Sequence, residues 1–163
     1  MVCSACAHFF EFLPKRGQYA ACFDDIESVS TFVRLMRRCV HLREMATSFL
    51  IAYFAQLGWP YPDLVTSVPR RHLWSSNISE LLAQEFARRV RLPYKRLTRR
   101  AFGDLPHEEE PTFFLRRRAT AQTILIIDDY MERGKTLAHL AGLLRRELNA
   151  KVYGLTVSQK HPP

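Results

Sequence analysis

The chain has 163 residues, a formal net charge of +8 at pH 7 and a hydrophobic fraction of 47%. That length suits one domain able to bury roughly 70% of the surface it exposes when unfolded. That composition excludes intrinsic disorder and low-complexity fibres.

Residues 1–17 read as an irregular segment and 18–163 as one domain. The segment holds Cys3-x-x-Cys6, and no basic stretch leads into an apolar run as a secretory signal requires. The most apolar stretch, Met45 to Trp59, is interrupted by Thr47, Ser48 and Gln56. It falls short of the ~20 residues that span a bilayer. A cytoplasmic chain is therefore expected, its cysteines being thiols or metal ligands rather than disulfides. Cys3 and Cys6 supply two of the four ligands of a structural zinc. His8, Cys22, Cys39 and His41 are candidates for the others.

Gln18 to Phe23 is a candidate strand ended by Asp24-Asp25. Val29, Phe32, Val33 and Met36 have the spacing of a helical face. Leu42 to Leu57 has helical character but is apolar nearly all round, which predicts a buried or interface helix. Asp63 to Val68 is β-prone and stops at Pro69. Ser76 to Val90 predicts a second amphipathic helix, with Ile78, Leu81, Leu82 and Phe86 on one face. Arg96 to Pro111 is polar, contains Gly103, Pro106 and three consecutive Glu, and predicts an exposed loop. Thr123 to Ile127 is continuously apolar, as in a parallel strand buried on both faces. Leu137, Leu140, Ala141, Leu144 and Leu148 mark a last helix, and Lys151 to Val157 a last strand. Strands alternating with helices imply an α/β fold with a mostly parallel sheet.

The segment from Ile124 to Leu137 carries the most chemistry. Two acids, Asp128 and Asp129, end a buried strand; a short loop of Tyr130 to Arg133 leads to Gly134-Lys135-Thr136 and a helix start. Ligands of open α/β sheets bind outside the carboxyl ends of the strands. A helix start offers unpaired N–H groups to an anion, and adjacent carboxylates can hold sugar hydroxyls or hydrated Mg²⁺. The pattern suits a ligand with a phosphate at one end and hydroxyls beside it. A P-loop is disfavoured: it needs Gly five residues before Gly134, where Asp129 stands. The plainer alternative is a strand capped by surface acids.

These residues resemble the phosphoribosyl-diphosphate loop of the type I phosphoribosyltransferase fold, and within it the ComF group of competence-associated proteins. Other motifs agree in order. Cys3-x-x-Cys6 is similar to the end of that group's zinc knuckles. Cys22-Phe23-Asp24-Asp25 resembles its first strand and helix, and Asp63 to Arg71 its strand ending in Val-Pro and basic residues. Ser76-Asn77-Ile78 with Leu81-Leu82-Ala83 resembles its Phe-Asn-Gln helix start. The resemblance implies a parallel sheet flanked by helices and a site for phosphoribosyl diphosphate with Mg²⁺. In that site Asp128 and Asp129 would be the catalytic acids, and Glu132, Arg133, Gly134, Lys135 and Thr136 the phosphate loop. It also implies a role on incoming single-stranded DNA in natural transformation, alongside a DNA-uptake helicase or another competence protein. The alternatives are an active salvage phosphoribosyltransferase and a phosphoribosyl-diphosphate-sensing adaptor without DNA contact. The sequence departs from the family where two Thr normally precede the loop Gly: Glu132 and Arg133 stand there. A carboxylate ~4 Å from a phosphate charge costs about 4 kcal/mol at an effective dielectric near 20, so weak or absent turnover is expected.

Of the 24 basic residues, 19 are Arg. Arg binds phosphate in bidentate fashion and stacks on bases. Arg34, Arg37 and Arg38 form one cluster. A second runs from Arg88 to Arg100 and includes Arg99, and Arg116, Arg117 and Arg118 form a third, with Phe102, Phe113 and Phe114 interleaved. Arg beside aromatics suits single-stranded nucleic acid; the plainer reading is a set of solvated faces.

Overall fold

Four side chains in a row on the central strand, Ile124 to Ile127, are at most 1% exposed. Such a strand must be covered on both faces, and the architecture follows from that need. The computed structural model describes residues 18–24, 27–69, 77–101, 112–131 and 134–159. Its elements are β1 (Tyr19–Asp24), α1 (Glu27–Leu35), α2 (Val40–Gln56), β2 (Leu64–Ser67), α3 (Ile78–Arg89), β3 (Thr98–Arg100), β4 (Phe113–Leu115), β5 (Thr123–Met131), α4 (Lys135–Leu148) and β6 (Lys151–Gln159).

The main sheet has the order β1-β6-β5-β2, and every pairing is parallel. Side chains alternate across it. Leu125 and Ile127 join Leu155 and Val157 under α1, α2 and α3, whose Val33, Leu50, Leu82 and Phe86 complete that core. Ile124 and Ile126 join Val152 on the other face, against Leu137, Leu140 and Leu144 of α4 and Phe113 of β4. The parallel sheet flanked by helices is the expected one.

Gly154 is required where Tyr19 of β1 pairs beside it on β6. It pairs with Tyr19 on one side and Ile126 on the other. A Cβ added there would lie 2.7 Å from the Tyr19 ring.

Two expectations need correction, and a third is narrowed. Arg96 to Pro111 is not all loop: Thr98–Arg100 pairs antiparallel with Phe113–Leu115 in a two-stranded ribbon. The buried Leu97 and Phe113 drive that pairing, and its partner strand lies too far along the chain for local periodicity to reveal it. Strand β5 does not stop at the acids but continues to Met131, because β6 keeps pairing with it as far as Gln159. The backbone ladder overrides the low strand preference of Asp. Helix α2 is covered on one side only; Ala46, Thr47, Leu50 and Tyr53 are buried, whereas Val40 and Met45 are exposed. Among the described residues no helix is long and apolar enough to cross a membrane.

Candidate functional site at the carboxyl edge of the sheet

The ladder between β2 and β5 ends where Val68 N–H donates to the Ile127 carbonyl at 3.3 Å. The next β5 residues are Asp128 and Asp129, and the start of α3 meets them there. Asn77 builds that start. Its Oδ1 accepts from Glu80 N–H at 3.3 Å as an N-cap, and its Nδ2 donates to the Val68 carbonyl at 3.2 Å. The cap thus ties the helix to the strand end and sets its first turn over β5.

Ser79, in that turn, donates from Oγ to Asp128 Oδ1 at 2.7 Å and lies 3.2 Å from Asp129 Oδ1. Asp129 N–H also donates to Asp128 Oδ1, at 3.0 Å. Asp128 is buried and Asp129 half-buried. Burial, and then the neighbouring Asp129 charge, hold the Asp128 carboxyl well above the ordinary carboxylate range, with the Ser79 hydrogen bond opposing them. On β6, Thr156 is in register with Asp128 and Ser158 with Tyr130. Ser158 Oγ is buried without a hydrogen-bond partner among the described residues.

The loop ends at Gly134, the N-cap of α4, whose φ of 71° lies in the left-handed region that favours glycine. As N-cap, Gly134 has no side chain to cap this helix start, and the first-turn N–H groups of a helix have no intrahelical partner and can receive an anion. Lys135 is exposed and Thr136 half-buried. Glu132 and Arg133 lie outside the described residues. The donor set fits a phosphorylated sugar: carboxylates for hydroxyls or a hydrated Mg²⁺, and N–H groups for phosphate.

Ser79 is the site residue that the sequence reading missed. The available signal was slight: a small hydroxyl two residues after a helix-capping Asn, just beyond a strand ending in Val-Pro.

The basic residues divide into groups. Arg34, at the end of α1, and Arg37 and Arg38 in the following turn are exposed. They follow a helix on one face of the sheet, whereas the β3–β4 ribbon packs on the other. The ribbon merges two sequence clusters. Arg99 faces Phe114 across it and Arg100 faces Phe113. The Arg99 guanidinium lies 5.7 Å from the Phe114 ring centre, and Phe114 is 47% exposed. Arg116, Arg117 and Arg118 follow directly and are exposed. Arg116 and Arg117 N–H both donate to the Leu97 carbonyl, which fixes them beside the ribbon. Arg88 and Arg89 instead pair with Glu85, and Arg96 with Glu80. Hydrogen bonds from Arg88 and Arg89 draw the Glu85 carboxyl down to about 2.

Of the zinc candidates, Cys3, Cys6 and His8 lie outside the described residues. Cys22 is a fully buried core side chain. Among the described residues no three His, Cys, Asp or Glu side chains are grouped to hold a metal.

No protein-family model matches the chain, and no curated protein sequence matches it. Solved structures do. An adenine phosphoribosyltransferase from Leishmania donovani has a TM-score of 0.54 at 10% identity, over 91% of this chain and 86% of that one. The Helicobacter pylori xanthine-guanine-hypoxanthine phosphoribosyltransferase has a TM-score of 0.53 at 15% identity, over 77% and 86%. The Saccharomyces cerevisiae adenine phosphoribosyltransferase, complexed with an imino-altritol bisphosphate and adenine, has a TM-score of 0.53 at 18% identity, over 75% and 72%. At these identities the likeness establishes the fold, that of the type I phosphoribosyltransferases.

Proposed function

We propose that this chain binds a phosphorylated ribose at the carboxyl edge of its sheet and acts, as ComF-like proteins do, on incoming single-stranded DNA. The observation that carries the first half is the acid pair of β5 followed by the glycine-initiated start of α4. Fold likeness alone does not assign an activity; the site chemistry has to. Asp129 would accept hydrogen bonds from ribose hydroxyls, with Asp128 behind it. The first-turn N–H groups of α4 and the Thr136 hydroxyl would hold the 5′-phosphate, and Lys135 would add a cation. Mg²⁺, when bound with the ligand, would offset the charge of the diphosphate. Any reaction would be glycosyl transfer: the bond from the ribose anomeric carbon to an acceptor nitrogen forms as the bond to pyrophosphate breaks.

The second half rests on the ribbon, where Arg99 lies over an exposed Phe114 and the exposed Arg116, Arg117 and Arg118 follow in the chain. Backbone charge and base stacking share the work in single-strand binding. The competence partner, such as a DNA-uptake helicase, is part of the same proposal.

A salvage phosphoribosyltransferase is the alternative, since the solved neighbours are named as purine-base phosphoribosyltransferases. Calorimetric titration with phosphoribosyl diphosphate and Mg²⁺, followed by turnover assays with adenine, hypoxanthine and guanine, separates the readings. Binding with little turnover is expected, because Glu132 occupies the place of a phosphate-binding Thr. Rapid turnover favours salvage, and absence of binding overturns the ribose site.

A further inference from the structure

The two acids of β5 stand in different surroundings, and the difference traces to one side chain. Asp128 Oδ1 accepts from Ser79 Oγ at 2.7 Å and from Asp129 N–H at 3.0 Å. It is therefore held from both sides, and its residue is buried. Asp129 is half-buried, and its Oδ1 lies 3.2 Å from the same Ser79 oxygen. A serine hydroxyl carries one proton. When that proton points at Asp128, the lone pairs of Oγ face Asp129. Two acceptors then lie close together, and the half-buried Asp129 carboxylate has lone pairs to spare for a further donor.

We infer that Ser79 is a positioning residue that fixes Asp128 as a buried anchor and so presents Asp129 as the acid that receives the ribose hydroxyls. This rests on the ribose-binding reading above and adds an order to its two carboxylates. A ligand hydroxyl can be that further donor. It can donate to Asp129 or to a lone pair of Ser79 Oγ, which leaves the serine proton pointing at Asp128. The placement is structurally determined: Asn77 ties the first turn of α3 to the end of β2 through Val68, so Ser79 cannot drift from the acids without loss of the cap. Its neighbours Ile78 and Leu82 are buried in the core under the sheet, which holds the turn at the same height.

The test uses the full chain and two probes, each with Mg²⁺: phosphoribosyl diphosphate, which carries the ribose hydroxyls, and inorganic pyrophosphate, which does not. Calorimetry gives both affinities, and thermal melting reports the fold of each variant. Ser79→Ala should bind phosphoribosyl diphosphate about 10- to 100-fold more weakly, the usual effect of losing a hydrogen bond to a charged group, and pyrophosphate unchanged. Ser79→Cys, close in shape but a poor donor, should behave like Ser79→Ala. Ser79→Thr, which keeps the hydroxyl, should restore most of the affinity. Equal weakening for both probes would show a general structural role and overturn the inference. So would unchanged affinity for phosphoribosyl diphosphate. If the unsubstituted chain fails to bind phosphoribosyl diphosphate, the underlying ribose reading fails instead.

Discussion

At the carboxyl edge of the sheet two acids stand side by side, one of them buried, and a single serine hydroxyl lies between them. On the β3–β4 ribbon Arg99, Arg116, Arg117 and Arg118 are exposed beside a ring that is itself 47% exposed. The first arrangement costs free energy, since a buried carboxylate must be matched by hydrogen bonds. It persists because β5, β6 and α3 over-determine it. The second costs little, and acts through summed charge in water. The acid site should therefore respond to single atoms and depend on salt far less steeply. The ribbon should respond to the number of charges and be governed by salt.

The largest expected effect is on the ribbon side. Raising salt from 50 to 200 mM should weaken nucleic-acid binding through ~6 phosphates on the order of 10³-fold for duplex, and somewhat less for single strands. Replacing Arg116, Arg117 and Arg118 together with Ala should flatten that dependence and leave phosphoribosyl-diphosphate binding unchanged. Fluorescence anisotropy with a labelled ~20-mer measures the slope, since single-strand sites occupy about 4–16 nucleotides per module. Binding that does not weaken with salt would end the DNA proposal.

Next comes the acid side. Asp129→Asn should reduce phosphoribosyl-diphosphate affinity by about 10- to 100-fold while leaving the salt slope for DNA as it was. A change in that slope would mean that the two regions are one site.

A substitution in the shared scaffold provides the contrast. Gly154→Ala should destabilise the fold by about 1–3 kcal/mol, because the added methyl meets the Tyr19 ring and overpacking must be relieved. Chemical denaturation measures it. Both binding activities should then be lost together as the chain unfolds, unlike the separate losses above.

The smallest effect sharpens the cost of the acid pair. The folded Asp128 carboxyl is raised above its ordinary value of 3.8. The folded chain therefore binds that proton more tightly than the unfolded one. Its favourable contribution is fully present below pH 3.8 and is lost as pH rises through the raised value. Asp128→Asn keeps an oxygen to accept from Ser79 and cannot ionise. It should melt higher than the unsubstituted chain at neutral pH, and the gap should close as the pH is lowered toward 4. A gap independent of pH would show that burial of the charge is not its source.

Much of the scaffold could be read from local pattern. The apolar run Ile124 to Ile127 marked the central strand, and the spacing of Leu137, Leu140, Ala141 and Leu144 marked α4, because a side chain's burial repeats with the period of its own element. The acids and the glycine turn were visible as well, being neighbours in the chain. Arg-rich clusters gave the net charge and the kind of partner to expect. Other features had no local signal. Ser79 reaches Asp128 across 49 positions, Thr98–Arg100 becomes a strand only because Phe113–Leu115 pairs with it, and β5 runs past its acids only because β6 continues beside it. Arg96 looks like part of a basic cluster and is instead matched by Glu80. Each of these depends on a partner distant in sequence, whose hydrogen bonds outweigh the preference of the residue itself. Local periodicity reports which face of an element is apolar; only the packed sheet decides which side chains meet at its edge.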